Sequence, residues 1–205
     1  MAKIRLTKGE LKKQRDALRQ YQRYLPTLQL KKQQLQIEIL RALTVLEEKK
    51  RNAAAKRAAV EPWLGLLSEQ PADMRSWVSP KQTITGSKNI AGVDLPVFER
   101  VEFPPAEYDL FVLPLWVDNA VEALRDLVCL REEINIVNKG IETLRQELRI
   151  TTQRVNLFEK VKIPEAEEAI RLIKIYIGDQ MTNAVGRCKI AKNKIEQSIL
   201  EEVAA

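Results

Sequence analysis

The chain has 205 residues, 45% of them hydrophobic and 30% charged, with only 7 glycines and a net charge of +6. That balance favours a soluble, helix-rich, elongated protein over a compact sandwich or barrel, and an aromatic content of 5% leaves little for a large globular core. Histidine is absent, which removes His-based metal sites and Ser-His or Cys-His nucleophile pairs.

A first segment, residues 1–61, reads as a coiled-coil helix. Thr7 can cap it, with Glu10 three residues on as the reciprocal partner of a capping box. Leu11, Leu18, Leu25, Ile39, Leu46 and Ala53 then recur at one heptad position, and Tyr21, Leu28, Leu35 and Ala42 at the other. Gln14, Lys32 and Lys49 interrupt this seam. Pro26 lacks an N–H and crowds the preceding turn, so a kink is expected near Tyr24 and Leu25.

Residues 62–116 differ in kind, holding seven of the nine prolines and seven of the eleven aromatic residues. Thr83-Ile84-Thr85, then Gly86-Ser87-Lys88-Asn89, then Ile90 through Val93 predict a β-hairpin reversing at the glycine-containing stretch. Val97, Val101 and Phe103 share parity on a further strand. Trp63, Trp77 and Trp116 are expected to pack this knob onto the helices. The segment is too apolar for a solvated tether.

A second coiled-coil helix fills residues 117–205. Ala120, Leu127, Ile134, Ile141, Leu148 and Val155 repeat every seven, followed three residues behind by Ala123, Leu130, Val137, Leu144 and Phe158. Gly140 and Asn138 are weak points. A kink is expected near Pro164, where the helix restarts with Glu165, Glu167 and Glu168 on its positive end. The seam resumes in shifted phase on Ile170, Ile173, Ile177, Met181, Ala184, Cys188, Ala191 and Ile195. The fold expected is all-α dominated: a long antiparallel two-helix coiled-coil hairpin with a small β-hairpin-containing knob at its closed end. Pairing about residue 68 with about residue 117 puts Pro26 within about one turn of Pro164, and leaves roughly the last 15 to 20 residues without a partner.

The chemistry of a catalyst is missing from this pattern. There is no phosphate-cradling glycine loop and no zinc-ligand spacing. Glu132-Glu133 and Glu165-Ala166-Glu167-Glu168 are expected as surface ion-pair partners or helix caps. Cys129 falls outside the seam and Cys188 on it; both are expected as free packing thiols, which fits a reducing compartment. Catalytic, cofactor-binding and metal residues are therefore expected to be none. Residues 1–5 carry no apolar core of signal-peptide length, and the uncharged run 110–117 is too short to span a bilayer, so a cytoplasmic protein without direct membrane insertion is expected. Residues 1–32 hold ten Lys or Arg against two acids, a basic end that suits an acidic partner. Nucleic acid is not expected, since only Tyr21 and Tyr24 could stack on bases there. The residues alone support an interaction protein, and a generic coiled-coil scaffold or adaptor is the alternative to any more specific role.

Leu6-Thr7-Lys8-Gly9-Glu10-Leu11, Leu25-Pro26-Thr27-Leu28, Asn89-Ile90-Ala91-Gly92-Val93-Asp94-Leu95-Pro96, Arg154-Val155-Asn156 with Glu159, and Ile163-Pro164 ahead of Glu167 and Ile170 occur in an order and spacing that cover essentially the whole chain. The set resembles the D subunit of V-type (A/V-type) ATPases and ATP synthases, the central rotor shaft, in a bacterial branch. The resemblance implies a non-catalytic subunit without cofactor that couples ATP hydrolysis or synthesis to rotation of a membrane ring and to ion transport. It implies catalytic A and regulatory B subunits around the open helical tip, the F subunit on the shaft, and the funnel-like C subunit and membrane ring at the closed end. It also implies a position at the cytoplasmic face of the membrane, held through the complex.

Overall fold

A computed structural model describes residues 5–69, 74–106 and 113–204. The order of elements is helix α1 (Lys8–Val60), a 3-10 segment (Glu61–Glu69), the short helix α2 (Met74–Val78), strands β1 (Gln82–Ile90) and β2 (Val93–Glu102), helix α3 (Trp116–Leu157), a π-helical turn (Phe158–Lys162) and helix α4 (Ile163–Ala204). Among the described residues the fold is dominated by two long helical runs, as the heptad pattern predicts, with a two-stranded antiparallel sheet where the strand pattern predicts a β-hairpin. The chain groups into two compact units, Leu30–Thr151 and Met1–Gln29 with Thr152–Ala205. This grouping cuts across the three consecutive segments of the sequence reading, because antiparallel pairing joins residues far apart in the chain.

In the unit Leu30–Thr151, Lys49 Nζ lies 2.9 Å from Glu133 Oε1 and Lys56 Nζ 2.5 Å from Asp126 Oδ2. Seven residues forward on α1 correspond to seven residues back on α3, so the two helices run antiparallel. The seam between them is the predicted one. Leu35, Ile39 and Leu46 are buried on α1, and Ala120, Ile141 and Leu144 on α3. Lys32 and Lys49, which break the apolar pattern, are half-buried, with the Lys49 ammonium paired rather than stranded.

The β-hairpin lies on these helices. Val93 and Leu95 of β2 join Leu35, Ile39 and Leu144 in one core, with Leu43, Ile90, Ala91 and Leu148 packed around it. The chain reversal is not at Gly86-Ser87-Lys88-Asn89, which is part of β1, but at Ala91-Gly92, between the paired residues Ile90 and Val93. Both central residues take positive φ, 53° and 76°, as the two-residue turn matching strand twist demands. Asn89 fixes the turn: its Oδ1 accepts the Gly92 N–H at 3.1 Å and its Nδ2 donates to Asp94 Oδ1 at 2.7 Å. A bulge at Glu99 shifts the register between Ile84 and Thr85, so the parity of Val97 and Val101 does not persist along β2. Val97 is exposed and Val101 half-buried.

Arg125 of α3 gathers the ends of this region. Its Nε donates to the Trp77 carbonyl at 3.1 Å and its Nη2 to the Pro104 carbonyl at 2.8 Å, with the guanidinium 5.2 Å above the Phe103 ring. Trp63, Trp77 and Trp116 are each half-buried. The uncharged run 110–117 lies in part outside the described residues.

In the other unit, Tyr21 of α1 stacks on Phe158, with centroids 5.4 Å apart and planes at 24°. Leu11, Leu18, Leu25 and Leu28 are half-buried on α1; Val155, Ala166, Ala169, Ile170 and Ile173 are buried on the other run. Thr7 caps α1 by accepting the Glu10 N–H at 3.2 Å. The reciprocal half of the capping box is replaced, because Glu10 Oε1 takes the Gln14 amide at 2.9 Å. Helix α1 continues through Pro26, and the Thr27 hydroxyl donates to the Tyr24 carbonyl at 2.8 Å.

Candidate partner-binding surfaces

The residues weighed for chemistry sit in ion pairs or packing. Glu133 pairs with Lys49, and Glu132 accepts from Asn135 at 3.3 Å. Glu168 takes a two-pronged hydrogen bond from Arg171 at 2.7 and 2.8 Å, which holds its carboxyl below the usual carboxylate range. Glu165 pairs with Lys162. Cys129 is half-buried, and burial first, then Asp126 and Glu133, pushes its thiol up against the opposing pull of Lys56. Cys188 is exposed. Among the described residues no group of three His, Cys, Asp or Glu side chains is placed to hold a metal ion, and no helix is long and apolar enough to cross a membrane.

What the chain does display is apolar surface in helical register. The first such surface is on α4. Every residue from 178 to 199 is exposed. Met181, Val185, Ile190, Ile195 and Ile199 are all more than half exposed in that stretch. Among the described residues this exposed run is longer than the 15 to 20 unpartnered residues expected, for a geometric reason. Tyr21 sits level with Phe158, and α1 begins only at Lys8, so α4 passes its partner's start near residue 171. Met181, Ala184, Cys188, Ala191 and Ile195 therefore continue the seam pattern with nothing among the described residues against them.

The second surface is on the outside of α1. Leu30, Ile37 and Leu40 are 58%, 50% and 64% exposed. In the heptad set by Leu35, Ile39 and Ala42 they fall on positions that point away from the paired helix. A two-helix coil gains nothing from leucine or isoleucine there, so this stripe suits a third element. A reading of seam positions alone passes over it; the same seven-residue count, applied to the outer face, finds it.

The third surface is charged. Lys8, Lys12, Lys13, Arg15, Arg19 and Arg23 are all exposed on the first five turns of α1. On α4, Arg187, Lys189, Lys192 and Lys194 are exposed as well. The unit that carries both termini is thus basic as well as apolar.

A long helical pair with uncovered apolar and basic faces is built to be covered by partners, and comparison with known proteins agrees. The family of ATP synthase D subunits matches residues 10–193. The V-type ATP synthase D subunit of Borreliella burgdorferi is 45% identical over 195 residues, covering 95% of this chain and 96% of that protein. Those of Chlamydia pneumoniae and Chlamydia caviae are 33% and 32% identical, covering 94% and 96% of this chain and 93% and 95% of those proteins. With the match spanning both long helical runs, the β-hairpin and the π-turn, this chain belongs to the ATP synthase D-subunit family.

Proposed function

We propose that this chain is the central-stalk rotor shaft of a V-type ATPase or ATP synthase, coupling ATP hydrolysis or synthesis to rotation of a membrane ring and ion transport. The observation that carries the reading is the family match over residues 10–193, and it does not favour a generic scaffold. The shaft is non-catalytic and acts at the cytoplasmic face of the membrane through the complex. Its basic, uncovered end, made by the start of α1 and residues 178–199 of α4, turns within the hexamer of catalytic A and regulatory B subunits. The F subunit takes the outer stripe of Leu30, Ile37 and Leu40. The funnel-like C subunit and the membrane ring engage the unit that carries the β-hairpin.

Torque passes by differential contact. A shaft whose faces differ in charge and apolarity binds differently to the successive conformations of the hexamer, and only that difference can bias which conformation comes next. The uneven surfaces described above supply such faces without any chemistry on the shaft itself.

Co-purification of the tagged chain with nucleotide-binding subunits and a membrane ring, followed by assays of ATPase activity and coupled ion transport, tests the reading. Replacing Lys12, Lys13, Arg15 and Arg19 together by glutamine is expected to weaken assembly or coupling. Coupled transport unchanged in that variant would remove the basic surface from the mechanism, and absence of the nucleotide-binding subunits from the purified complex would remove the reading itself.

A further inference from the structure

One glycine sits where its own surroundings do not require one. Of the seven glycines, Gly140 alone is buried, in the middle of α3, and a Cβ built on it meets nothing within 4 Å. Inside a helix glycine is costlier than alanine, and a buried one is ordinarily explained by a neighbour too close for a side chain. Among the described residues no neighbour comes that close. The open space belongs to a cleft of about 280 Å³ walled by Ala42 and Val45 of α1, Val137 and Gly140 of α3, and Leu95 and Val97 of β2. Val45 and Val97 are 43% and 41% exposed, so the cleft opens to the surface between two valines. Apolar walls of this kind give a water too few of the roughly two to four polar partners that would hold it.

Size and charge select what fits. An apolar cavity of about 150 Å³ already takes a benzene ring, and small-molecule sites begin at roughly 300 Å³. A cleft of about 280 Å³ therefore suits one aromatic side chain rather than a cofactor. The rim adds a charge. Glu38 and Arg41 border the cleft but hold each other at 2.6 Å. Lys88 of β1 borders it too, exposed and without an ion-pair partner among the described residues. A carboxylate next to the inserted ring meets that ammonium in a charge-assisted hydrogen bond. Ile37, 50% exposed on the outer stripe of α1, lies one helical turn before Arg41, so a partner that covers the stripe reaches the rim of the cleft.

We propose that this cleft is a socket for an aromatic side chain of a partner with a carboxylate beside it, Gly140 leaving the floor open and Lys88 meeting the acid. That the partner is the F subunit rests on the rotor reading; the socket does not. Two probes test the socket on the isolated chain: indole-3-acetate, which carries ring and carboxylate, and indole-3-acetamide, which carries the ring without the charge. Both are expected to shift the amide resonances of Leu95, Val97 and Gly140. The acid is expected to bind at least about threefold tighter than the amide, a difference that Lys88→Gln removes. Gly140→Leu fills the floor from within, and Val97→Gln alters an exposed wall without disturbing the core; each is expected to weaken both probes at least about tenfold. No shift at these amides in the wild type, or shifts that survive both variants, overturns the socket. Equal affinity for acid and amide overturns the part of the carboxylate. In the purified complex both variants are expected to keep the nucleotide-binding subunits and to retain the F subunit at least about tenfold less. Wild-type retention of the F subunit by variants that no longer take indole-3-acetate overturns the F subunit as the donor. A wild-type chain that captures no nucleotide-binding subunits strikes the rotor reading and leaves the indole-3-acetate result to decide the socket by itself.

Discussion

Two glycines behave oppositely at the residue scale. Gly140 is buried in the middle of α3, yet a Cβ placed there meets nothing within 4 Å, because the residue borders a cleft of about 280 Å³ lined also by Ala42, Val45 and Val137. Gly140→Ala should therefore gain helix propensity without a clash and raise the unfolding free energy by about 1 kcal/mol in a denaturant titration. Gly92, at φ 76° in the hairpin turn, should lose about 1 kcal/mol on becoming alanine. The cysteines separate in the same way. Cys188 is exposed and should be alkylated first. Cys129, half-buried with its thiol pushed up, holds little thiolate at neutral pH, so its labelling should be slow and keep accelerating above the pH at which a free thiol levels off. Mass-spectrometric labelling over a pH series reads both rates, and equal rates would contradict the placement of Cys129. Gly140 is legible in the sequence as a weak point of the seam. That its surroundings leave room is not, because the cleft depends on where β2 comes to lie. Thr151, 2% exposed in a seam position between Leu144 and Phe158, escapes a search for apolar repeats because it is polar.

Elements are legible where one period governs them. Spacings of three and four from Leu11 to Ala53 are met by residues that are all buried or half-buried, and those from Ala120 to Phe158 likewise. Two local features escape for the same reason: each is decided by backbone hydrogen bonding rather than by side-chain polarity. The hairpin turn falls at Ala91-Gly92 because Asn89 can bridge it, whereas a glycine count points to Gly86. The shift of phase after Phe158 is visible in the residues, but the five-residue bond that absorbs it is not. Val93 and Leu95 of the hairpin pack into the core with the helices, so removal of the hairpin would uncover Leu35, Ile39 and Leu144. Leu144→Ala and Leu95→Ala should each destabilise the isolated chain by about 3 kcal/mol, since both empty the same core. Their double variant should cost less than the two summed, because the second substitution enlarges a cavity already made. Strict additivity in thermal or denaturant melts would show that the hairpin and α3 do not share that core.

The whole chain divides its apolar side chains between two tasks. Those of the seam, with Val93 and Leu95 of β2, are satisfied internally, and their loss is felt as stability. Those of residues 178–199 and of the outer stripe on α1 are exposed among the described residues, and burial of each such side chain against a partner is worth about 1.5–3 kcal/mol. An exposed side chain contributes little to folding, because it meets water in both the folded and unfolded states. Met181→Gln/Ile190→Gln/Ile195→Gln should accordingly leave the melting of the isolated chain within about 0.5 kcal/mol of the parent. If α4 turns within the proposed hexamer, the same triple variant loses at least about tenfold in assembly with the nucleotide-binding subunits, because three apolar contacts turn polar inside that interface. Quantitative pull-down alongside thermal melting separates the two tasks. A fall in stability with assembly intact would mean that α4 beyond residue 177 is packed within the chain, and assembly intact with stability unchanged would mean that partners grip the shaft elsewhere, leaving the outer stripe of Leu30, Ile37 and Leu40 as the next surface to alter.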